Sequence, residues 1–222
     1  MPAHRDRVVA KATIMKEQLI QSLKNMDTNV ASISEERKAK LMPLVYFILD
    51  NQRDNDPSEL IFVCTHNARR SHMAQLWAAA AALYCDLENI ETYSGGVEVT
   101  RIHPNALASL ERSGFEFSGE DDIENPSLLV QLGDSVMFEV FSKKYDDDTN
   151  PQKNFAAVLV CSEVAEACPN VEGASLRLPI SYDDPKEFDG TEKAEEMYDK
   201  RSVEIGTEML YVMKTVSEKL AS

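Results

Sequence analysis

Five residues, Thr65-His66-Asn67-Ala68-Arg69, separate Cys64 from Arg70-Ser71. A thiol at that distance from an arginine, with a serine following, is a set of groups that can attack and hold a tetrahedral oxyanion. The apolar run Leu60-Ile61-Phe62-Val63 reads as a buried strand that ends on Cys64, and the alanine-rich stretch from Ser71 to Tyr84 reads as a helix. That order puts the sulfur at the carboxyl end of a strand and aims the first amides of the helix at whatever the sulfur touches. The helix amino end, the loop amides of residues 65–71, the Arg70 guanidinium and the Ser71 hydroxyl all favour a thiolate. Arg70 has a planar fork that matches two oxyanion oxygens. Asn67 tolerates a left-handed backbone and can brace the loop. The other reading of these residues is a core cysteine and an unrelated surface arginine.

The elements that must position this loop follow from pattern. Apolar runs at Leu60–Val63, Ile90–Ser94, Phe155–Val160 and Leu176–Ile180 predict strands, the second closed by Gly95-Gly96. Helical spacing predicts helices over 71–84, 104–112 and 191–220, with Pro104 in a first turn. Strands alternating with helices give an α/β fold with a parallel sheet covered on both faces. Ligands of such sheets bind beyond the carboxyl ends of the strands, where Cys64 lies. Val136, Phe138, Val140 and Phe141 break the alternation and suggest an added hairpin strand within an insertion at 134–145. Residues 1–58 form a helical extension, with Val8, Val9, Ile14, Met15, Leu19, Ile20 and Leu23 at helical spacing. Ser32 and Glu35 suggest a capping box for a second helix through Leu49, interrupted or delayed by Pro43. The polar stretch 50–57 reads as a linker to a catalytic domain over 59–222.

Composition narrows the function. The 222 residues carry a net charge of −15, which argues against a nucleic-acid partner. No segment is long and apolar enough for a membrane span, and no signal core follows Met1, so a cytoplasmic location is expected. An anionic substrate then needs a local positive field, which His66, Arg69, Arg70 and His72 offer. The four cysteines are expected as thiols, any disulfide among them being catalytic or transient. No second cysteine or histidine cluster suggests a metal site.

The Cys64–Ser71 loop resembles that of the low-molecular-weight protein tyrosine phosphatases and of the thioredoxin-coupled arsenate reductases that share their fold. The likeness continues at Tyr93-Ser94-Gly95-Gly96 and at His103-Pro104-Asn105-Ala106. It implies a three-layer sandwich with a four-stranded parallel sheet over about 59–220, Cys64 as nucleophile and Arg70 as oxyanion ligand, with no bound cofactor. It also implies a general acid in a late Asp-Pro loop, which matches Asp184-Pro185, although Asp-Pro pairs also begin ordinary turns. Three positions depart from the families: His66 stands where glycine is usual and Arg69 where many members have cysteine. Gln75 replaces a glutamate that helps some reductases bind potassium, which argues against potassium dependence.

A second pair, Cys161 and Cys168, follows the third strand and resembles the redox pair of those reductases. The resemblance implies that Cys161 resolves the arsenylated Cys64, that Cys168 takes over the disulfide, and that thioredoxin or another thiol reductant restores the thiols. A regular helix between them would separate the two sulfurs by roughly 10 Å, so their bond needs the segment to unwind. Cys85 reads as packing. Three functions stay open: arsenate reduction, hydrolysis of aryl phosphates, and a non-catalytic oxyanion-binding or interaction module. The N-terminal helices pack on the domain, form a homodimer or meet a partner.

Overall fold

The computed structural model describes residues 15–119, 124–134, 136–167 and 171–222. At its centre lie four parallel strands, Ser58–Cys64 (β1), Ile90–Gly96 (β2), Phe155–Leu159 (β6) and Ala174–Pro179 (β7). They form one sheet in the order β2-β1-β6-β7. Every residue of β1 except Glu59, and every residue of β6, is buried. Burial at both odd and even positions means that both faces of the sheet are covered there, which is why the sequence shows unbroken apolar runs. The expected α/β architecture is what forms. β2 and β6 start at Ile90 and Phe155 as predicted, the other strand boundaries shift by a residue or two, and β2 absorbs both glycines.

Helix α3 (Arg70–Tyr84) packs on β1 and β2, and the long helix α6 (Ala194–Leu220) packs on α3. Their meeting buries Trp77, whose indole donates to Ser202 Oγ at 2.8 Å and whose ring meets Phe115 edge to face. Helix α4 (Pro104–Arg112) starts at the proline that predicted it. The short helix α5 (Ser162–Ala167) follows Cys161. Among the described residues no helix is long and apolar enough to cross a membrane.

The hairpin strand exists as β5 (Met137–Val140), antiparallel to β4 (Leu128–Gln131). A third strand, β3 (Glu116–Ser118), completes a separate antiparallel sheet. The sequence reading misses β3 and β4. Both are too short to show a clear period, although Leu128 and Val130 alternate inward.

The N-terminal region is helical, as α1 (Glu17–Asp27) and α2 (Glu35–Asp54), with Val8, Val9 and Ile14 outside the described residues. Two details differ from expectation. The cap of α2 is Ser34, which accepts the Arg37 amide at 3.1 Å, while Ser32 sits in a 3₁₀ turn and donates to Asn29 O. The stretch 50–57 is mostly helix: α2 continues through exposed Pro43 to Asp54 and stops at Asn55, which is left-handed with φ 59°. Polar residues on the outer face of a last helical turn look, in sequence, like a linker. Leu19, Leu23, Leu41, Leu44 and Ile48 are fully buried and continuous with the core around the sheet.

Shared burial predicts shared unfolding. Leu44→Ala is expected to lower stability by about 2–5 kcal/mol. In urea titrations followed by Trp77, the single tryptophan, the whole transition shifts. An unshifted Trp77 transition would mean that α2 unfolds apart from the sheet.

Candidate active site

Cys64 ends β1 and is 4% exposed. The chain then turns through residues 65–69 into α3 around a left-handed Asn67, φ 46°. Three contacts fix this turn from the Asn67 side chain and carbonyl. Its Oδ1 accepts the Lys143 amide at 2.8 Å, its Nδ2 donates to Ser71 Oγ at 2.9 Å, and its carbonyl meets His72 Nε2 at 3.0 Å. A carbonyl can only accept, so His72 carries its proton on Nε2 and its Nδ1 takes the Ser94 hydroxyl at 3.2 Å. Ser71 Oγ, already an acceptor from Asn67, is free to donate to the Cys64 sulfur 3.1 Å away.

Backbone packs directly beneath the turn. A Cβ on Gly96 would lie 2.7 Å from Asn67 N and 2.9 Å from Thr65 O, and one on Gly95 would lie 2.4 Å from Tyr145 Cα. Both glycines therefore serve close approach. Thr65 O accepts the Glu98 amide, Ala68 O accepts the His103 amide, and His66 O accepts the hydroxyls of Thr100 and Ser142. The segment leaving β5 thus props the loop from outside through Ser142 and Lys143.

Arg70 is 5% exposed and reaches across to the loop after β7. Its Nη1 donates to Tyr182 O at 2.7 Å and its Nη2 to Asp184 Oδ2 at 2.6 Å, while its buried Nε has no hydrogen-bond partner among the described residues. Asp184 also accepts the Lys186 amide at 3.0 Å as the cap of the 3₁₀ turn Pro185–Phe188. The structure therefore brings Asp184 to the Cys64–Ser71 loop. It also brings Cys161, fully buried, whose sulfur lies 3.5 Å from Thr65 Oγ1. The Val160 amide donates to Val63 O, so Cys64 and Cys161 leave adjacent strands at one sheet edge. Burial pushes the Cys161 thiol up, while Thr65, the Val164 amide and Arg70 work the other way. Cys64, Cys85 and Cys161 are free thiols. Cys85 is half-buried at the end of α3, its thiol pushed up to about 11 by burial. Cys168 lies outside the described residues.

The expected field of four cations is smaller in fact. His72 is wholly buried, and desolvation, with Lys143 nearby, pulls its pKa down to about 3, so it carries no charge at neutral pH. Arg69 is committed to other partners: Nε donates to Tyr198 OH and Nη2 to Asp189 Oδ2, each at 2.6 Å. Tyr198 in turn donates to Asp189 Oδ1 at 2.6 Å. Burial works to raise the Asp189 carboxyl, but the bonds from Tyr198 and Arg69 hold it below its ordinary value. Arg69 thereby fastens the start of α3 to the end of the Asp184 turn. His66 is half-exposed at the loop rim, 3.4 Å from Glu98. Sequence reading misses Tyr182, Asp189 and Tyr198. The arginines they meet lie more than a hundred residues away, and the local signal is Asp189-Gly190 closing the Asp-Pro segment.

Similarity to known proteins falls on this same region. Residues 59–129 match the family described as low molecular weight phosphotyrosine protein phosphatase. An arsenate reductase of Halalkalibacterium halodurans is 26% identical over 134 residues, 60% of this chain and 78% of that protein. A glutaredoxin arsenate reductase of Synechocystis is 38% identical over 69 residues, 30% of this chain and 50% of the relative. A low-molecular-weight phosphotyrosine phosphatase structure from Vibrio cholerae O395 superimposes with a TM-score of 0.48 at 16% identity, covering 73% of this chain and 98% of that one. The family match and the curated relatives agree with the resemblance read from the loop: the chain is similar to the low-molecular-weight phosphatase superfamily. Within it, the similar curated proteins include bacterial arsenate reductases.

The buried neutral His72 makes stability depend on pH. Its folded pKa lies below the ordinary 6.5, so the unfolded chain binds the proton first and stability falls as pH drops below 6.5. Between pH 6.5 and 5 this group costs about 2 kcal/mol. His72→Gln keeps a donor toward Asn67 O without titrating. Urea unfolding at both pH values is expected to show a smaller pH loss for this variant by about that amount, and equal losses in both proteins would refute it.

Proposed function

We propose that this protein reduces arsenate to arsenite with Cys64 as nucleophile. The observation that carries the reading is the second buried thiol, Cys161, on the neighbouring strand end beside the Cys64 loop, linked to it through Thr65. A phosphatase has no use for that thiol.

The steps follow from the groups present. Arsenate enters the loop of residues 64–71 and takes the Arg70 fork and the loop amides, which stabilise the charge that grows on its oxygens. The Cys64 thiolate attacks arsenic, an S–As bond forms, and an As–O bond breaks as Asp184 gives its proton to the departing oxygen. Once Arg70 has turned to the oxyanion, the Asp184 oxygen it held is free to face that oxygen. Cys161 then attacks the Cys64 sulfur. The new S–S bond forms as the S–As pair returns to arsenic, so arsenic gains two electrons and leaves as arsenite. Cys168 attacks Cys161, frees Cys64, and leaves a Cys161–Cys168 disulfide for a thiol reductant of the thioredoxin or glutaredoxin kind. The helical turn Ser162–Ala167 must unwind for that transfer, since a seven-residue helical separation holds two sulfurs roughly 10 Å apart.

A second reading, hydrolysis of aryl phosphates, is favoured by the phosphatase family match over residues 59–129. It needs Cys64, Arg70 and Asp184 alone. The purified protein, assayed with arsenate plus thioredoxin or glutaredoxin and separately with an aryl phosphate, distinguishes the two. Reduction is expected to vanish in Cys161→Ser and in Cys168→Ser, with a Cys161–Cys168 disulfide seen by mass spectrometry after arsenate treatment of the parent. Aryl phosphate turnover by the double serine variant, with no arsenate reduction by the parent, would assign the phosphatase instead. Asp184→Asn is expected to slow either reaction by about 10²–10³-fold.

A further inference from the structure

The acid loop is held from a side that the catalytic groups do not require. Tyr182, two residues before Asp184, is buried under Arg37 from the N-terminal helix α2 and Glu208 from α6. Arg37 grips the Glu208 carboxylate with both arms, Nε to Oε1 at 2.7 Å and Nη2 to Oε2 at 2.9 Å. The Tyr182 hydroxyl donates to the same Oε2 at 2.6 Å. The guanidinium carbon stands 4.8 Å from the Tyr182 ring centre, and Nη2 also donates to Ser181 O at 3.3 Å. The other side of Tyr182 faces the active site, where its carbonyl accepts Arg70 Nη1 and where Arg70 Nη2 holds Asp184. One residue therefore has its side chain fixed by the N-terminal extension and its backbone fixed by the oxyanion arginine.

We propose that Arg37 is a positioning residue for the general-acid loop: with Glu208 it latches Tyr182, and through Tyr182 it sets where Asp184 stands relative to Cys64. The N-terminal extension then has a part in turnover beyond packing. The inference rests on the reading of Cys64 and Asp184 above. Its energetic basis is that a bidentate, largely buried arginine–carboxylate pair has one geometry, so whatever hangs from it inherits that geometry. Displacing an acid by about 1 Å is enough to slow a reaction by up to about a hundredfold while leaving substrate binding intact.

The test compares Arg37→Met, Arg37→Lys and Arg37→Met/Glu208→Gln with the parent, each in the Asp184 and in the Asp184→Asn background. The double variant guards against loss of fold, because Glu208→Gln removes the carboxylate that Arg37→Met would otherwise leave buried and unpaired. Arg37→Met is expected to lower kcat about tenfold with KM within about twofold. Arg37→Lys recovers part of the loss. In the Asp184→Asn background the same substitution has no further effect, because there is no acid left to misplace. Amide hydrogen exchange over 181–189 rises in Arg37→Met and its double variant while exchange in β1 does not. An equal loss in both backgrounds, or a rise in KM alone, overturns the latch. So does unchanged exchange over 181–189, whether or not the protein is active. A parent that turns over neither arsenate nor an aryl phosphate overturns the reading of Cys64, and the exchange measurement then still decides the latch.

Discussion

Arg70 is the joint on which the site turns. It is nearly excluded from water, and both of its terminal nitrogens are committed, one to the Tyr182 carbonyl and one to the Asp184 carboxylate. A buried guanidinium without partners would be far too costly, so its presence dictates that the segment after β7 comes to it. The loop after β1 places the thiol; Arg70, as the first residue of α3, ties that loop to the Asp184 carboxylate. Without the arginine, Cys64 and Asp184 would belong to unrelated ends of two strands.

Around that joint the rest of the chain acts as bracing. The segment leaving the small antiparallel sheet supplies the Lys143 amide and the Ser142 hydroxyl to the underside of the loop. The Arg69–Asp189–Tyr198 cluster fixes the far end of the acid turn to the start of α3 and to α6. Arg37 fixes its near end from α2. Most of these braces are partly or wholly buried, where hydrogen bonds are strong and a lost partner is expensive. The insertion and the N-terminal helices thereby contact the Cys64 loop and the Asp184 turn directly.

What the sequence made legible follows from what is local. The apolar run, Cys64, the five-residue loop, Arg70-Ser71 and an alanine-rich helix are continuous, so strand, loop and helix could be read together. Pro104 marked its helix start, and the valine and phenylalanine positions around 136–141 marked β5. The failures share a cause as well. The partners of Arg70 lie 112 and 114 residues away and those of Arg69 lie 120 and 129 away. Only the fold decides which carboxylate each arginine meets. His72 looked like a cation because its type suggests charge; burial, which no single position reveals, makes it neutral. Helix α2 outran its expected end because a polar outer face and a polar linker have the same composition.

The central claim is that the turn of residues 64–71 is a cradle that seats a tetrahedral oxyanion against Cys64 by way of Arg70. The most direct measurement is the rate of Cys64 alkylation by iodoacetamide, read site by site by mass spectrometry, with and without inorganic phosphate or arsenate. Either anion is expected to slow labelling of Cys64 in the parent, to leave Cys85 unaffected, and to give no protection in Arg70→Met. Labelling of Cys64 at one rate with and without saturating anion would contradict the account.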